Sequence, residues 1–265
     1  MRADQLLVQR GLAASRSQAA RLIESGARWL HRGEWKPLRK SDDLHEDAQI
    51  ELTNADEAKY VSRGGLKLEG ALKTSSLDVR DALCLDVGQS TGGFTDCLLQ
   101  HGARAVVGVD VGHSQLHARL RADERVLCVQ RVNARALNAT ELIANYPIST
   151  SEKSIFLTST TPKQVAFDVV VGDVSFISQT LVVDALVGLL APVGQLLMLV
   201  KPQFELQPEQ IGKGGIVKDP AHYVQVQERI CAAYKEAGLK VEHYFASPIE
   251  GGDGNREFFV HARRV

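Results

Sequence analysis

Four charged side chains far apart in the chain, Lys67, Asp173, Lys201 and Glu257, stand at strand ends or just beyond Gly-rich turns around one segment, Leu85-Asp86-Val87-Gly88-Gln89-Ser90-Thr91-Gly92-Gly93-Phe94. Two amines and two carboxylates brought to one point can hold a proton, pass it on, or stabilise the charge left behind. An apolar strand ending in Asp and Gly, followed by small residues that open a helix, lets backbone N–H groups approach a ligand closely. The turn reads G-x-S-x-G-G rather than G-x-G-x-x-G, and no G-K-[ST] follows to hold a triphosphate, so a nucleoside without a phosphate chain fits better. Asp86, Gly88, Ser90, Gly92 and Gly93 are therefore candidate ligand contacts, with Asp173 beside them. The next strand ends at Asp110, roughly twenty residues on, where a carboxylate can accept hydrogen bonds from both hydroxyls of a ribose. Asn133, after the third strand, offers an amide to an adenine edge.

These residues need a scaffold that carries strand ends to one side. From Leu83 onward apolar strands alternate with helical stretches: Leu83 to Val87, Ala105 to Asp110, Val126 to Gln130, Phe167 to Gly172 and Gln195 to Lys201, then Val241 to Ser247 and Phe258 to His261. Such alternation predicts an α/β, Rossmann-like sheet covered on both faces, whose carboxyl edge binds ligands. Asp173 and Lys201 end or follow core strands at that edge, and Glu257 reaches it if the last strand runs antiparallel. Lys67 arrives from the segment preceding the core. The most apolar run, Thr180 to Val200, contains Asp184, Pro192, Gly194 and Gln195. It is read as a buried helix over Leu181 to Leu190 and a central strand over Gln195 to Val200, not as a membrane span. Ile148 to Lys163, rich in Ser and Thr without a clear period, reads as a surface insertion.

The 265 residues are 44% hydrophobic and 24% charged, enough for one large core and a small satellite domain. The net charge of -1 conceals a basic stretch from Arg10 to Lys40, with eight Lys or Arg against Glu24 and Glu34. Arg16, Arg21 and Arg28 belong to it and are candidate phosphate contacts. Cys84, Cys97, Cys128 and Cys231 form no C-x-x-C pair, which favours reduced thiols and a cytoplasmic location. The charged start, with Arg2 and Asp4, does not resemble a signal peptide. His113 and His117 have i,i+4 spacing but no evident third ligand, so no metal is expected. Gln207 to Gly215 is a Gly-containing loop that either covers a substrate or only connects elements.

Two resemblances extend this reading. Residues 1–60 resemble the S4 RNA-binding domain through Arg2, Asp4, Leu7, Gly11, Leu12, Ser15, Arg16, Ala19, Leu22, Ile23 and Gly26, although Trp29, His31 and Arg32-Gly33 depart from its pattern. The Gly-rich turn with Asp110 and Asn133 looks like an S-adenosylmethionine pocket. With Ser62 to Leu68, Asp110-Val111-Gly112, Asn133-Ala134-Arg135, Gly172 to Ser178 and Val200 to Glu205, the chain resembles the TlyA family, an S4 domain fused to an FtsJ-like rRNA 2′-O-methyltransferase and often called haemolysin A. Gln89 departs, since a small residue is usual there. The resemblance implies a methyltransferase domain over 61–265 and a catalytic tetrad of Lys67, Asp173, Lys201 and Glu257, with Lys201 acting on the hydroxyl proton and Asp173 and Glu257 orienting it. It also implies methylation of a ribose 2′-hydroxyl in ribosomal RNA, by analogy a cytidine, with rRNA or a ribosomal subunit as partner and no stable membrane association. The alternatives are an RNA-binding or ribosome-assembly factor with an idle methyltransferase fold, and a membrane-active haemolysin. The sequence leaves the oligomeric state open.

Overall fold

Local signals in the first fifty residues build a small α+β unit. The computed structural model describes residues 1–13, 15–53, 59–139, 142, 166–251 and 254–265. Helix α1 (Ala3–Gln9) is followed by α2 (Arg16–Glu24), which starts where Ser15 turns extended and its Oγ accepts from the Gln18 N–H at 3.2 Å. An antiparallel sheet of order β2-β1-β3 comes next, from β1 (Arg28–His31), β2 (Glu34–Pro37) and β3 (Ile50–Glu51). Its core is its own: Leu6, Leu7, Ala19, Leu22, Leu38 and Leu44 are buried together, with no described residue beyond Leu52 among them.

The larger unit opens with α3 (Gly64–Ser75) and continues through β4 (Leu83–Val87), α4 (Gly93–Gln100), β5 (Ala105–Asp110), α5 (Ala118–Arg121), β6 (Val126–Gln130), β7 (Phe167–Gly172), α6 (Val183–Val187), β8 (Leu190–Val200), α7 (Pro220–Glu236), β9 (Leu239–Ala246) and β10 (Phe258–Arg264). All seven strands form one sheet, in the order β6-β5-β4-β7-β8-β10-β9. Strands β4 to β8 are mutually parallel, while β10 runs antiparallel to both β8 and β9. Every residue of β4 is buried, as expected for a central parallel strand covered on both faces. One core packs α6 and α7 on one face, and a second packs α3 and α4 on the other.

From β4 the chain moves outward to β5 and β6, then returns to the other flank of β4 with β7 and β8. The connections diverge at the carboxyl ends of β4 and β7, which opens a crevice there. The boundary between the units is clamped. Gln18 Nε2 donates to the Tyr60 carbonyl at 2.9 Å, the Val61 N–H donates to Asp96 Oδ2 at 2.9 Å, and Arg119 Nη2 reaches the same Asp96 oxygen at 2.7 Å.

One expectation needs correction. Leu181 to Leu190 is not a continuous helix: a short 3-10 turn at Gln179–Leu181 leads into α6, which ends at Val187, and β8 already starts at Leu190. Pro192 and Gly194 lie inside that strand and do not cut the run. An irregularity accommodates them, because Phe167 and Val169 of β7 face Leu190 and Gln195 of β8. The extra residues bulge out, leaving Val193 86% exposed and the proline without a ladder bond to make. The insertion expected at Ile148 to Lys163 lies outside the described residues.

Candidate active site

The crevice at the switch point is shaped by backbone conformation. Gly88 (φ 83°), Ser90 (φ 48°) and Gly92 (φ 96°) are all left-handed in the turn after β4. The Gly88 and Gln89 N–H groups donate to the Val109 carbonyl at 2.9 and 3.1 Å, holding the turn against β5. Across the crevice the Asp173 N–H donates to the Val87 carbonyl at 2.9 Å, and a Cβ on Gly88 would come within 2.6 Å of the Asp173 carbonyl oxygen. Only glycine fits between these loops. The adjoining cavity of about 490 Å³ is lined by Gly88, Ser90, Asp110, Asn133, Asp173 and Ile177, among others. That volume suits a nucleoside-sized ligand.

Asp110 accepts the Ser90 N–H on Oδ2 at 2.8 Å and the Gly112 N–H on Oδ1 at 2.7 Å, so its carboxylate is held at the cavity wall by the backbone on either side. Asn133 lines the wall, but its Oδ1 accepts the Arg135 N–H at 3.0 Å and caps a 3-10 turn, which leaves only its amide nitrogen for a base edge. The remaining predicted contacts lie elsewhere. Asp86 is fully buried beneath the pocket, and Gly92 faces Leu116 and Leu120. Gly93 lines a smaller cavity with Ser62 and Gly64.

The four chemical side chains meet as two ion pairs at the carboxyl edge. Lys201 Nζ lies 2.5 Å from Asp173 Oδ1 and donates to Ser175 Oγ at 2.9 Å. Lys67 Nζ donates to Glu257 Oε2 at 2.5 Å, with both side chains nearly sealed from solvent. Glu257 therefore touches Lys67, not Lys201, so its expected part in orienting Lys201 is at most indirect. Burial pushes the Glu257 carboxyl above its ordinary range, the Lys67 hydrogen bond and charge pull it down, and Asp173 and Lys201 exert smaller opposing influences. The two pairs therefore feel one another. Antiparallel pairing makes this possible: Phe258 of β10 faces Val200 of β8, so the residues one step outward, Glu257 and Lys201, emerge at the same edge.

Several supports had no assigned role in the sequence reading. Buried Glu205 accepts from Ser178 Oγ at 2.5 Å and from the Gln179 N–H at 2.8 Å, tying the turn after Lys201 to the segment after Asp173. Asn255, 1% exposed, accepts the Val217 N–H at 3.0 Å and donates to the Gly215 carbonyl at 2.9 Å. The Lys213-Gly214-Gly215 loop is thereby anchored two residues from Glu257. Phe176 is 89% exposed at the pocket mouth in a left-handed conformation (φ 63°), its ring 5.0 Å from that of Phe204. Glu205 and Phe176 fall within the motifs quoted above and Asn255 lies two residues before Glu257, but composition alone assigns them nothing. Arg16 is occupied too: its Nη2 lies 2.8 Å from Asp4 Oδ2, and Arg28 pairs with Glu51 at 2.8 Å. His117 Nδ1 accepts the Arg119 N–H and caps α5, so it does not share a helix face with His113.

A Rossmann-like sheet with a nucleoside-sized crevice beside two lysine–carboxylate pairs makes an enzyme site for a nucleoside-bearing ligand. Residues 60–264 match the FtsJ-like methyltransferase family model, and the chain belongs to that family, in its TlyA-like branch. It is 38% identical over 264 residues to the 16S/23S rRNA (cytidine-2'-O)-methyltransferase TlyA of Mycobacterium tuberculosis, covering 99% of this chain and 89% of the relative. It is 34% identical over 261 residues to Hemolysin A of Brachyspira hyodysenteriae, covering 98% and 99% respectively. Among solved structures it resembles "Putative hemolysin from Streptococcus thermophilus", with a TM-score of 0.72, 36% identity, and coverage of 100% of this chain and 88% of that one.

Proposed function

We propose that the protein methylates a ribose 2′-hydroxyl of ribosomal RNA, at a cytidine, using S-adenosylmethionine. The observation that carries this reading is the pairing of Lys201 with Asp173 at the rim of a nucleoside-sized crevice. The cavity fits the cofactor: Gly88 leaves room for close approach, Asp110 supplies a carboxylate at the wall for ribose hydroxyls, and Asn133 lines the cavity with its amide nitrogen available to a base. S-adenosylmethionine, when bound, supplies an electrophilic methyl group on a sulfonium. A ribose hydroxyl is a weak acid, and its oxygen attacks only as the proton is removed. Lys201, once its ammonium has given a proton to solvent, takes the hydroxyl proton as a neutral amine; Asp173 and Ser175 fix that amine, and the Lys67–Glu257 pair stands at the same sheet edge. Exposed Phe176 offers a ring for the base of the target nucleotide to stack upon.

In this reading residues 1–60 are an S4 RNA-binding domain that brings rRNA or a ribosomal subunit to a methyltransferase domain over 61–265, with Arg16, Arg21 and Arg28 on its basic side. The location is cytoplasmic, where ribosomes are. Among the described residues no helix is long and apolar enough to cross a membrane.

Mapping ribose methylation across rRNA with and without the protein tests substrate and reaction together. Lys201→Ala is expected to lower methyl transfer by about 100- to 10,000-fold, with cofactor and RNA binding within a few-fold of the parent. Lys201→Arg should fail almost as badly, because a guanidinium does not release its proton near neutral pH. A robustly active Arg variant would reassign Lys201 to electrostatic positioning, and a methyl group on a base would overturn the reading.

A further inference from the structure

Gln89 is the residue of the Gly-rich turn that points away from the crevice. It is 3% exposed, and its carboxamide lies where a side chain at position 108 would be: a Cβ on Gly108 would sit 1.9 Å from Gln89 Nε2, 2.0 Å from its Cδ and 2.4 Å from its Oε1. Gly108 is in the middle of β5, where glycine weakens a strand unless another group needs the space. Its neighbours across the sheet are Asp86 on β4 and Cys128 on β6. Gln89 Nε2 donates to Thr95 Oγ1 at 2.9 Å, and that hydroxyl donates to Asp86 Oδ2 at 2.7 Å. One side chain thus joins the turn to the sheet below it and to α4 beside it.

The arrangement costs stability. Among the described residues, Gln89 Oε1 and Asp86 Oδ1 are both buried without a hydrogen-bond partner. A small apolar residue at 89 with an alanine at 108 would fill the space and remove the first of these two penalties. The polar peg belongs to the residue between the ligand-lining Gly88 and Ser90, so its seating bears directly on their height over the sheet.

Resting on the methyltransferase reading and deepening it, we propose that Gln89 and Gly108 act as a matched pair that fixes the height of the Gly-rich turn over the sheet, making Gln89 a positioning residue for cofactor affinity. Gln89 acts through the backbone of Gly88 and Ser90, whose N–H groups it keeps in register with Val109 and Asp110.

The test is calorimetric binding of S-adenosylhomocysteine to the full chain, alongside the thermal midpoint of the ligand-free protein. Gly108→Ala, which expels the carboxamide, should weaken binding about tenfold and raise the cofactor KM while leaving kcat at saturating cofactor within about threefold of the parent. Adding Gln89→Ala to Gly108→Ala should restore affinity to within about threefold. If Gly108→Ala does not fold, Gln89→Met, which keeps length and drops the amide, should weaken binding about threefold with the thermal midpoint unchanged or raised. Parent-like affinity in Gly108→Ala or Gln89→Met, or no rescue in the double variant, overturns the pairing. A parent protein that binds no S-adenosylhomocysteine overturns the methyltransferase reading itself, which is a separate outcome.

Discussion

Asp4 in α1 and Asp86 in β4 are both sealed from solvent, yet their carboxyls titrate far apart. In the N-terminal unit, hydrogen bonds from Arg2 and Arg16 hold Asp4 down at about 2. In the core, burial raises Asp86 to about 7; a hydrogen bond from Thr95 opposes this, and the nearby charges of Asp173 and Asp110 add to it. The small unit closes its charge network internally. The sheet does not: Asp110 and Asp173 line one crevice with Lys201 as the amine paired to Asp173, and the one carboxylate in excess favours a cationic ligand such as a sulfonium.

Asp86→Asn should break the comparison most visibly. The folded carboxyl keeps its proton to about pH 7, whereas an ordinary aspartate loses it near 3.8, so the folded state is penalised progressively as pH rises between those values. Above that window the penalty is full, on the order of 4 kcal/mol, and below it there is none. The Asn variant should therefore unfold at a higher temperature than the parent at pH 8 and at nearly the same temperature at pH 4. Parallel stability curves would mean that Asp86 is answered by a donor after all.

Asp4→Asn has the opposite sign. Its folded carboxyl is depressed, so its contribution is present above about pH 4 and disappears as pH falls through about 2. The variant should lose roughly 2 to 3 kcal/mol at neutral pH, the scale of a hydrogen bond to a charged group, with the deficit shrinking in acid. Urea titrations at two pH values measure it.

Asp110→Ala separates ligand chemistry from charge burial in the core. Loss of an acceptor for two ribose hydroxyls should weaken S-adenosylmethionine by roughly 1 to 3 kcal/mol in calorimetry. An unchanged dissociation constant in a folded variant would make Asp110 a brace for Ser90 and Gly112 only.

The smallest effect sharpens the N-terminal side. Replacing Arg21 and Arg28 should flatten the salt dependence of RNA binding by about 0.7 log units for each phosphate left without its cation, with only a small change in the thermal midpoint from loss of the exposed Arg28–Glu51 pair. Arg16→Ala should lower the midpoint as well, because among the described residues Asp4 then keeps only Arg2.

The alternation of apolar strands with helical stretches made the sheet legible and sets Asp173 and Lys201 at its carboxyl edge; Glu257 joins them because β10 runs antiparallel, a direction the alternation left open. The partners were not legible. Which amine meets which carboxylate depends on side-chain reach across the α3–β10 contact, so the tetrad divides into Lys67–Glu257 and Lys201–Asp173. Pro192 misled for a related reason: proline excludes a ladder hydrogen bond but not a bulge, and a bulge leaves no periodicity to read. Arg16 looked like a surface charge because a buried Asp twelve positions earlier has no sequence signature as its partner. Gln89 stood out only as a departure, and its burial against Gly108 becomes visible once β4 and β5 are in register.

The pairing of β10 with β8 also bears on how the chain tolerates length changes. Glu257 and Lys201 share an edge because Phe258 faces Val200 and Phe259 faces Leu199. A deletion of one residue inside either strand would turn the outermost side chains to the other face of the sheet and dissolve the site, although the sheet would still form. Between Lys201 and Asn255 the same deletion in a surface turn would leave the ladder untouched. Within these strands insertions and deletions are thus filtered by parity as much as by size, and the β-bulge between His261 and Ala262 lies where an odd residue can be absorbed away from the chemistry.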